Sequence, residues 1–115
     1  MNDAPFNVAW NVVSRMSAAD PAELFRKLAS HAAKLEPLRK LDLTSSAILD
    51  MIWERENQSP TTLGCGLILP HARVGKLESL CAVCTTLEHP LDCETPDDVP
   101  VVFGCMLLIP EERPM

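Results

Sequence analysis

The stretch Val101–Ile109 (VVFGCMLLI) decides the fold of this chain. It contains no charged or amide side chain, and it is bounded by Pro100 and Pro110. A short run that is apolar at every position is typical of a strand buried on both faces, as at the centre of a sheet covered by helices. Proline cannot donate to a sheet ladder, so the two flanking prolines mark its ends. We therefore expect Val101–Ile109 to be the central strand of a sheet.

Two helices are predicted before this strand. Asp20 can cap the first helix, and Glu23 completes a capping box. Apolar residues then recur at helical spacing until Pro37 ends the run, namely Leu24, Leu28, Ala32 and Leu35. A second helix is predicted to begin after Thr44 and to reach about Glu56, since no Gly or Pro interrupts that segment.

The remaining segments favour strands and loops. Ser59–Gly66 (SPTTLGCG) is predicted to be a loop, and Gly66–Leu69 a short strand that Pro70 ends. Ser79–Leu87 is a further strand candidate. Helices followed by strands indicate an α/β (α+β) fold with a mixed central β-sheet flanked by helices. Because two helices cannot cover both faces of such a sheet, we expect one face to lack a partner.

Length and charge exclude several classes of protein. The 115 residues fit one domain, with residues 1–13 as an N-terminal extension or strand. The net charge of −6 argues against a nucleic-acid partner. No apolar run approaches the ~18 residues that span a membrane, and the N-terminus lacks the apolar core of a signal peptide. We expect a cytoplasmic location and no membrane partner.

The five cysteines suggest a metal or redox site at first sight. Cys81 and Cys84 form a CxxC motif. In a strand, residues three apart point to opposite faces, so these two thiols would not bind one metal together. A reducing compartment accounts for unpaired cysteines. We therefore expect no metal or cofactor, and a cysteine-based metal or redox protein is a distant alternative.

His71 is the sharpest candidate for chemistry. It follows Pro70 at the end of a predicted buried strand, next to a glycine-containing loop. A neutral imidazole is a nucleophile near pH 7 and titrates in the physiological range. The spacing alone fits a structural histidine as well as a nucleophile.

A family resemblance separates these two possibilities. Arg55-Glu56 followed by Pro60–His71 (PTTLGCGLILPH) resembles the phosphorylation-site segment of fructose/mannitol-type enzyme IIA domains of the phosphoenolpyruvate-dependent phosphotransferase system. The nitrogen-regulatory branch is the most similar. The resemblance continues through Leu87–Leu91 (LEHPL) and Pro100–Pro110, and spans roughly residues 14 to 112. It implies a single enzyme IIA-like domain that is shortened at its C-terminus and lacks the usual C-terminal helices.

The resemblance also implies a function. His71 matches the histidine that accepts a phosphoryl group on Nε2 from a histidine-containing phosphocarrier protein. Arg55 matches an arginine near the phosphohistidine, and Thr61 matches a threonine that donates a hydroxyl hydrogen bond. The expected role is that of a bacterial phosphoryl carrier, of the transferase class if active, which acts on downstream regulatory proteins in nitrogen-related regulation. Sugar transport and potassium regulation stay open.

Two departures support an alternative function. Pro60 stands where the family has Ser, and Thr62 where it has Gly. A non-catalytic module that keeps the fold and binds partner proteins around His71 would tolerate both changes. Under either function, the uncovered sheet face predicts a homodimer, because large apolar patches on monomers are rare.

Overall fold

The structure is a computed structural model and describes residues 8–112. A strand and three helices precede five further strands. Their bounds are β1 Val8–Met16, α1 Pro21–Ala32, α2 Glu36–Arg39, α3 Ser45–Glu56, β2 Thr62–Gly64, β3 Leu67–Ile68, β4 His71–Val74, β5 Leu80–Leu91 and β6 Val101–Pro110. This is the predicted α+β class. The first part of the predicted N-terminal extension, residues 1–7, lies outside the described residues.

The strands form one mixed sheet around β6. The strand order is β1-β5-β6-β3-β2, and β4 also pairs with β6. β6 runs antiparallel to β5 and parallel to β3 and β4, and β1 runs parallel to β5. The prediction that Val101–Ile109 forms the central strand is therefore confirmed.

Both predicted helix starts are confirmed. The Asp20 carboxylate accepts the backbone N–H of Glu23 at 2.8 Å, and the Glu23 carboxylate accepts the backbone N–H of Ala19 at 2.7 Å. The Thr44 hydroxyl oxygen accepts the backbone N–H of Ala47 at 3.1 Å. These side chains satisfy N–H groups that have no partner within a helix, which fixes where α1 and α3 begin.

The prediction that Pro37 ends the first helix is wrong. α1 ends at Ala32, and Pro37 lies in the first turn of the separate helix α2. Proline lacks an N–H, and the first turn of a helix is where an N–H has no intrahelical acceptor. The same residue that would interrupt a long helix therefore fits the start of a short one.

The predicted loop Ser59–Gly66 contains a tight hairpin. β2 and β3 pair antiparallel across a turn in which Gly64, Cys65 and Gly66 have φ angles of +87°, +56° and +82°. A Cβ on Gly66 would lie 2.9 Å from Cγ2 of Val102, which is too close for a side chain. The turn therefore needs glycine both for its backbone angles and for its approach to β6.

The helices leave one face of the sheet uncovered in the described residues. Buried residues of α1, α2 and α3 pack against the sheet and form one core with Val83 of β5 and with Met106 and Leu108 of β6. We call the side of the sheet on which these three strand residues lie the helix face. Side chains alternate along a strand, so their neighbours point the other way. This second face consists of Val8, Trp10 and Val12 of β1, Ala82 and Cys84 of β5, and Phe103, Cys105 and Leu107 of β6.

Exposure on the second face corrects the prediction that β6 is buried on both sides. Phe103 is 37% exposed, and Cys105 and Leu107 are only half-buried. On β1, Trp10 is 66% exposed. The apolar run Val101–Ile109 does form a strand, but none of the described helices packs over the second face of that strand. The expectation of an uncovered face is met on the second face.

Candidate functional site

His71 is placed by the pairing of β4 with β6. The backbone N–H of Leu107 donates to the carbonyl of Pro70 at 2.9 Å, and His71 lies in register with Leu107. The next residue, Ala72, is 6% exposed and packs into the core. Alternation along the strand therefore directs the half-buried imidazole away from that core.

One hydrogen bond determines the chemical state of the imidazole. Nδ1 of His71 lies 2.9 Å from the carbonyl oxygen of Leu69. A carbonyl can only accept, so Nδ1 carries the proton in this contact. In the neutral ring, Nε2 is then the nitrogen with the free electron pair. The site thus presents the nitrogen that a nucleophilic reaction needs.

A chain of hydrogen bonds holds the Leu69 carbonyl in place. The carboxylate of Glu56, at the end of α3, accepts the backbone N–H of Thr61 at 2.9 Å and its hydroxyl at 2.6 Å. The carbonyl of Thr61 accepts the backbone N–H of Leu69 at 2.9 Å. We call the connection Glu56–Thr61–Leu69–His71 the imidazole relay. It fixes the ring of His71 relative to the end of α3.

The imidazole opens onto a pocket of about 340 Å³ between α3 and β4. Arg55 and His71, two of the three predicted site residues, line this pocket together. Arg73 also lines it, so two guanidinium groups and the carboxylate of Glu54 surround the site. The local surplus of positive charge contrasts with the net charge of −6 on the chain. Such a pocket suits an anionic group. Its full lining is Met51, Glu54, Arg55, Gln58, His71, Ala72 and Arg73.

Arg55 is oriented by the loop that follows α3. Its Nη1 donates to the carbonyl of Ser59 at 2.9 Å. A guanidinium has five N–H donors, so this contact leaves it able to bind an anion as well. Arg55 is half-buried, and the bond to Ser59 satisfies part of its guanidinium. Its position in the last turn of α3 is also favourable, because a positive charge there interacts with the helix dipole.

Thr61 is near the site but is bound within the relay. It is 3% exposed and is not among the residues that line the pocket. Its single hydroxyl proton is donated to Glu56. A hydrogen bond from this hydroxyl to a phosphoryl group would require the bond to Glu56 to break, so the predicted role of Thr61 in phosphoryl binding stays a prediction.

Sequence reasoning missed two residues of this site, Arg73 and Glu56 as a hydrogen-bond acceptor. Arg73 lies two residues after His71 on the same strand, so strand periodicity would have placed both on one side. Its Nη1 lies 3.5 Å from the carbonyl oxygen of Glu111. Glu56 is part of the Arg55-Glu56 pair in the sequence motif. Its carboxylate reaches Thr61 only because the loop after α3 folds back, so the motif did not indicate this contact.

The glycine turn is held by Asp97, and none of its residues is among those that line the pocket at His71. The Asp97 carboxylate accepts the backbone N–H groups of Cys65 at 2.7 Å and Val99 at 3.1 Å. These bonds stabilise the charged form and lower the pKa of Asp97. A Cβ on Gly64 would lie 3.2 Å from the same carboxylate. Asp97 thus ties the acidic segment before β6 to the hairpin.

The cysteines do not gather around a common centre. Cys81 is fully buried on the helix face, where burial raises its pKa to about 11. Cys84 lies on the second face, as strand alternation predicts. Within residues 8–112, no group of three or more Cys, His, Asp or Glu side chains is arranged to hold a metal ion.

A second cavity is larger than the pocket at His71. It measures about 610 Å³ and lies beside Phe25, Trp53 and Cys93. It borders Glu56 and Pro60 but includes none of the three predicted site residues.

None of the described helices has the length and apolar character to cross a membrane.

The chain is similar to proteins of one family over nearly its whole length. Residues 9–114 match the family described as phosphoenolpyruvate-dependent sugar phosphotransferase system, EIIA 2. A nitrogen regulatory protein of Bradyrhizobium diazoefficiens is 30% identical over 89 residues, which cover 77% of this chain and 55% of that protein. A probable licABCH operon regulator of Bacillus subtilis is 35% identical over 66 residues, 57% of this chain and 10% of that one.

A solved structure has the same fold. The crystal structure of the nitrogen regulatory protein IIA-Ntr from Neisseria meningitidis superposes with a TM-score of 0.74 at 24% identity, over 88% of this chain and 65% of that chain. The present chain thus spans about half of the Bradyrhizobium relative and about two thirds of the Neisseria protein. The resemblance found in the motif around His71 extends over nearly all of the described residues. The chain belongs to the EIIA 2 family of the phosphoenolpyruvate-dependent sugar phosphotransferase system.

Proposed function

We propose that this protein is a phosphoryl carrier in which Nε2 of His71 accepts a phosphoryl group from a histidine-containing phosphocarrier protein. The hydrogen bond from Nδ1 to the Leu69 carbonyl carries this proposal, because it gives Nε2 the free electron pair. Membership of the EIIA 2 family supports it.

The proposed transfer uses the free electron pair on Nε2 of His71. The electron pair of Nε2 attacks the phosphorus of the phosphohistidine on the donor protein, and the bond from phosphorus to the donor nitrogen breaks. Positive charge then develops on the ring of His71. The Leu69 carbonyl already accepts the hydrogen bond from Nδ1 and stabilises that charge. Little else is required of the protein than position and charge, as is usual for phosphoryl transfer.

The two guanidinium groups of the pocket supply the charge. A phosphoryl group on His71 brings about two negative charges at pH 7. Arg55 and Arg73 line the same pocket as His71, so they stabilise a group that an acidic chain would otherwise repel. Thr61 acts in this proposal as a positioning residue through the relay.

The proposed downstream partners are regulatory proteins. The relatives named above are a nitrogen regulatory protein and a probable operon regulator, which supports a role in nitrogen-related regulation in a bacterial cytoplasm. Phosphorylation of His71 changes the charge of the pocket, so a partner that contacts the pocket would distinguish the two states.

A non-catalytic partner-binding module is the second candidate. The observation that favours it is the hydrogen bond from the Thr61 hydroxyl to Glu56, which engages the single hydroxyl proton of Thr61. In this candidate, partners bind around His71 without phosphoryl transfer. The variants below separate the two functions.

We also propose a homodimer formed through the second face. β1 is an edge strand among the described residues, and Val8, Trp10 and Val12 are 42%, 66% and 56% exposed along one side of it. A twofold axis would place this apolar side, and the unpaired edge of β1, against the same features of another copy.

His71→Ala and His71→Gln are expected to abolish phosphorylation, because each removes the accepting nitrogen. The measurement is intact mass after incubation with phosphoenolpyruvate and the general phosphotransferase proteins, kept at neutral or alkaline pH because phosphohistidine is labile in acid. The matched control is His89→Gln, since His89 is exposed and outside the pocket. If either His71 variant gains a phosphoryl group as the parent does, the assignment is wrong.

Arg55→Ala should slow phosphoryl transfer about ten- to a hundredfold, the value of a charge-assisted contact of roughly 1.5–3 kcal/mol. The unfolding free energy should fall by about 1 kcal/mol, for the lost bond to the Ser59 carbonyl. Single-turnover transfer rates and urea denaturation measure the two effects. Arg39→Ala, an exposed arginine on α2, is the control. Normal transfer with a large loss of stability would make Arg55 purely structural.

Thr61→Val should lower the unfolding free energy by about 1–3 kcal/mol, because Glu56 loses a buried donor. Thr61→Ser keeps the hydroxyl and should preserve both stability and transfer. Urea denaturation and single-turnover transfer are compared for the two variants. A Thr61→Val protein of unchanged stability that no longer accepts phosphoryl groups would instead show that the hydroxyl acts on the phosphoryl group.

Sedimentation velocity at micromolar concentration should show a species of twice the 12.7 kDa chain mass. Trp10→Ser should shift it towards monomer, since Trp10 is the most exposed large apolar side chain of the second face. Leu63→Ser, which changes an exposed leucine outside that face, is the control. A parent protein that sediments as a monomer would refute the dimer.

A further inference from the structure

Two cysteines on the second face lie directly opposite each other. β5 and β6 pair antiparallel, and Cys84 is in register with Cys105. Their sulfur atoms are 2.7 Å apart, and both are free thiols in this structure. The sequence did not indicate that Cys84 and Cys105 are neighbours, because they are distant along the chain and only the register of β5 with β6 brings them together.

The backbone here already has the geometry of a cross-link. Directly opposite residues in an antiparallel pair have Cα atoms about 4.5–5.5 Å apart. Disulfides form across Cα separations of about 4.4–6.8 Å. A bond between Cys84 and Cys105 therefore needs side-chain rotation and no change in the strands.

The other described cysteines do not share this arrangement. Cys81 is buried on the helix face, Cys65 is exposed in the glycine turn, and Cys93 lies in the segment between β5 and β6. Cys84 and Cys105 are half-buried, beside a sheet face on which Val12, in register with Cys84, is 56% exposed. In the monomer a small oxidant can reach this pair, whereas Cys81 is shielded by the core in monomer and dimer alike.

We propose that Cys84 and Cys105 form a reversible dithiol–disulfide site that peroxides oxidise. One sulfur attacks a peroxide oxygen and becomes a sulfenic acid, and the cleaved O–O bond leaves one water molecule. The second sulfur then attacks the sulfenic sulfur, the S–S bond forms, and a second water leaves. Two thiols and one hydrogen peroxide thus give one disulfide and two waters, and an added dithiol reverses the change. The proposal is independent of phosphoryl transfer at His71.

The environment of Cys105 affects its reactivity. Burial and the contact with Cys84 raise the pKa of Cys105 to about 12. Because the thiolate is the reactive form of cysteine, this raised pKa disfavours attack on peroxide by Cys105.

The test is oxidation of the full-length reduced protein with hydrogen peroxide, followed by alkylation under denaturing conditions, intact mass and peptide mapping. The number of alkylated cysteines should fall from five to three, with one disulfide that links β5 to β6, and dithiothreitol should restore all five. A result in which all five remain alkylated, or in which Cys65 or Cys93 forms the disulfide, overturns the proposal.

Variants test which cysteines form the disulfide. Cys84→Ser and Cys105→Ser should each prevent it, and a sulfenic acid formed on the remaining cysteine of the pair should then persist and be labelled by a dimedone probe. The double variant Cys65→Ser/Cys93→Ser is the matched control and should form the disulfide as the parent does. If it does not, the pair is not the site. Peptide mapping of the parent protein decides the question even where a variant folds poorly.

Discussion

The site depends on how the imidazole of His71 is held. Its Nδ1 contacts the Leu69 carbonyl, and Leu69 is bound through Thr61 to the carboxylate of Glu56. Every member of this relay is backbone or a buried or half-buried side chain, so water competes weakly for the bonds. The end of α3, the hairpin of β2 and β3, and the start of β4 are thereby fixed together around one nitrogen atom.

The polar residues near His71 have two different roles. The Leu69 carbonyl leaves Nε2 with the free electron pair, and Glu56 and Thr61 hold that segment in place. Arg55 and Arg73 supply positive charge in the pocket. The phosphoryl transfer that we propose requires mainly position and charge from the protein. The two arginines would offset the charge of a phosphoryl group on an otherwise acidic chain.

The packing of helices on one face of the sheet has consequences for the rest of the molecule. The helix face holds the core and anchors β4 through Ala72 and Val74, which leaves alternate residues of that strand for the site. On the opposite side, the second face combines an apolar edge strand with a pair of thiols. Surface that one domain leaves apolar in this way commonly serves contact with another molecule.

Most of the local structure was predictable from neighbouring residues in the sequence. The caps at Asp20 and Thr44, the continuous apolar run of β6 and the Pro70-His71 pair depend on neighbouring residues, so they predicted two helix starts, the central strand and the candidate nucleophile. Pro37 was misjudged because one residue type suits both the end of one helix and the start of another.

Contacts between distant parts of the chain depend on the complete fold. The hydroxyl of Thr61 binds Glu56 because a loop returns to α3, Arg73 enters the pocket because β4 lies beside α3, and Cys84 meets Cys105 through strand register. Each contact depends on the register and packing of whole elements, to which residues far apart contribute. No short segment of sequence contains that information, because local preferences fix the elements and burial of the shared core fixes their arrangement.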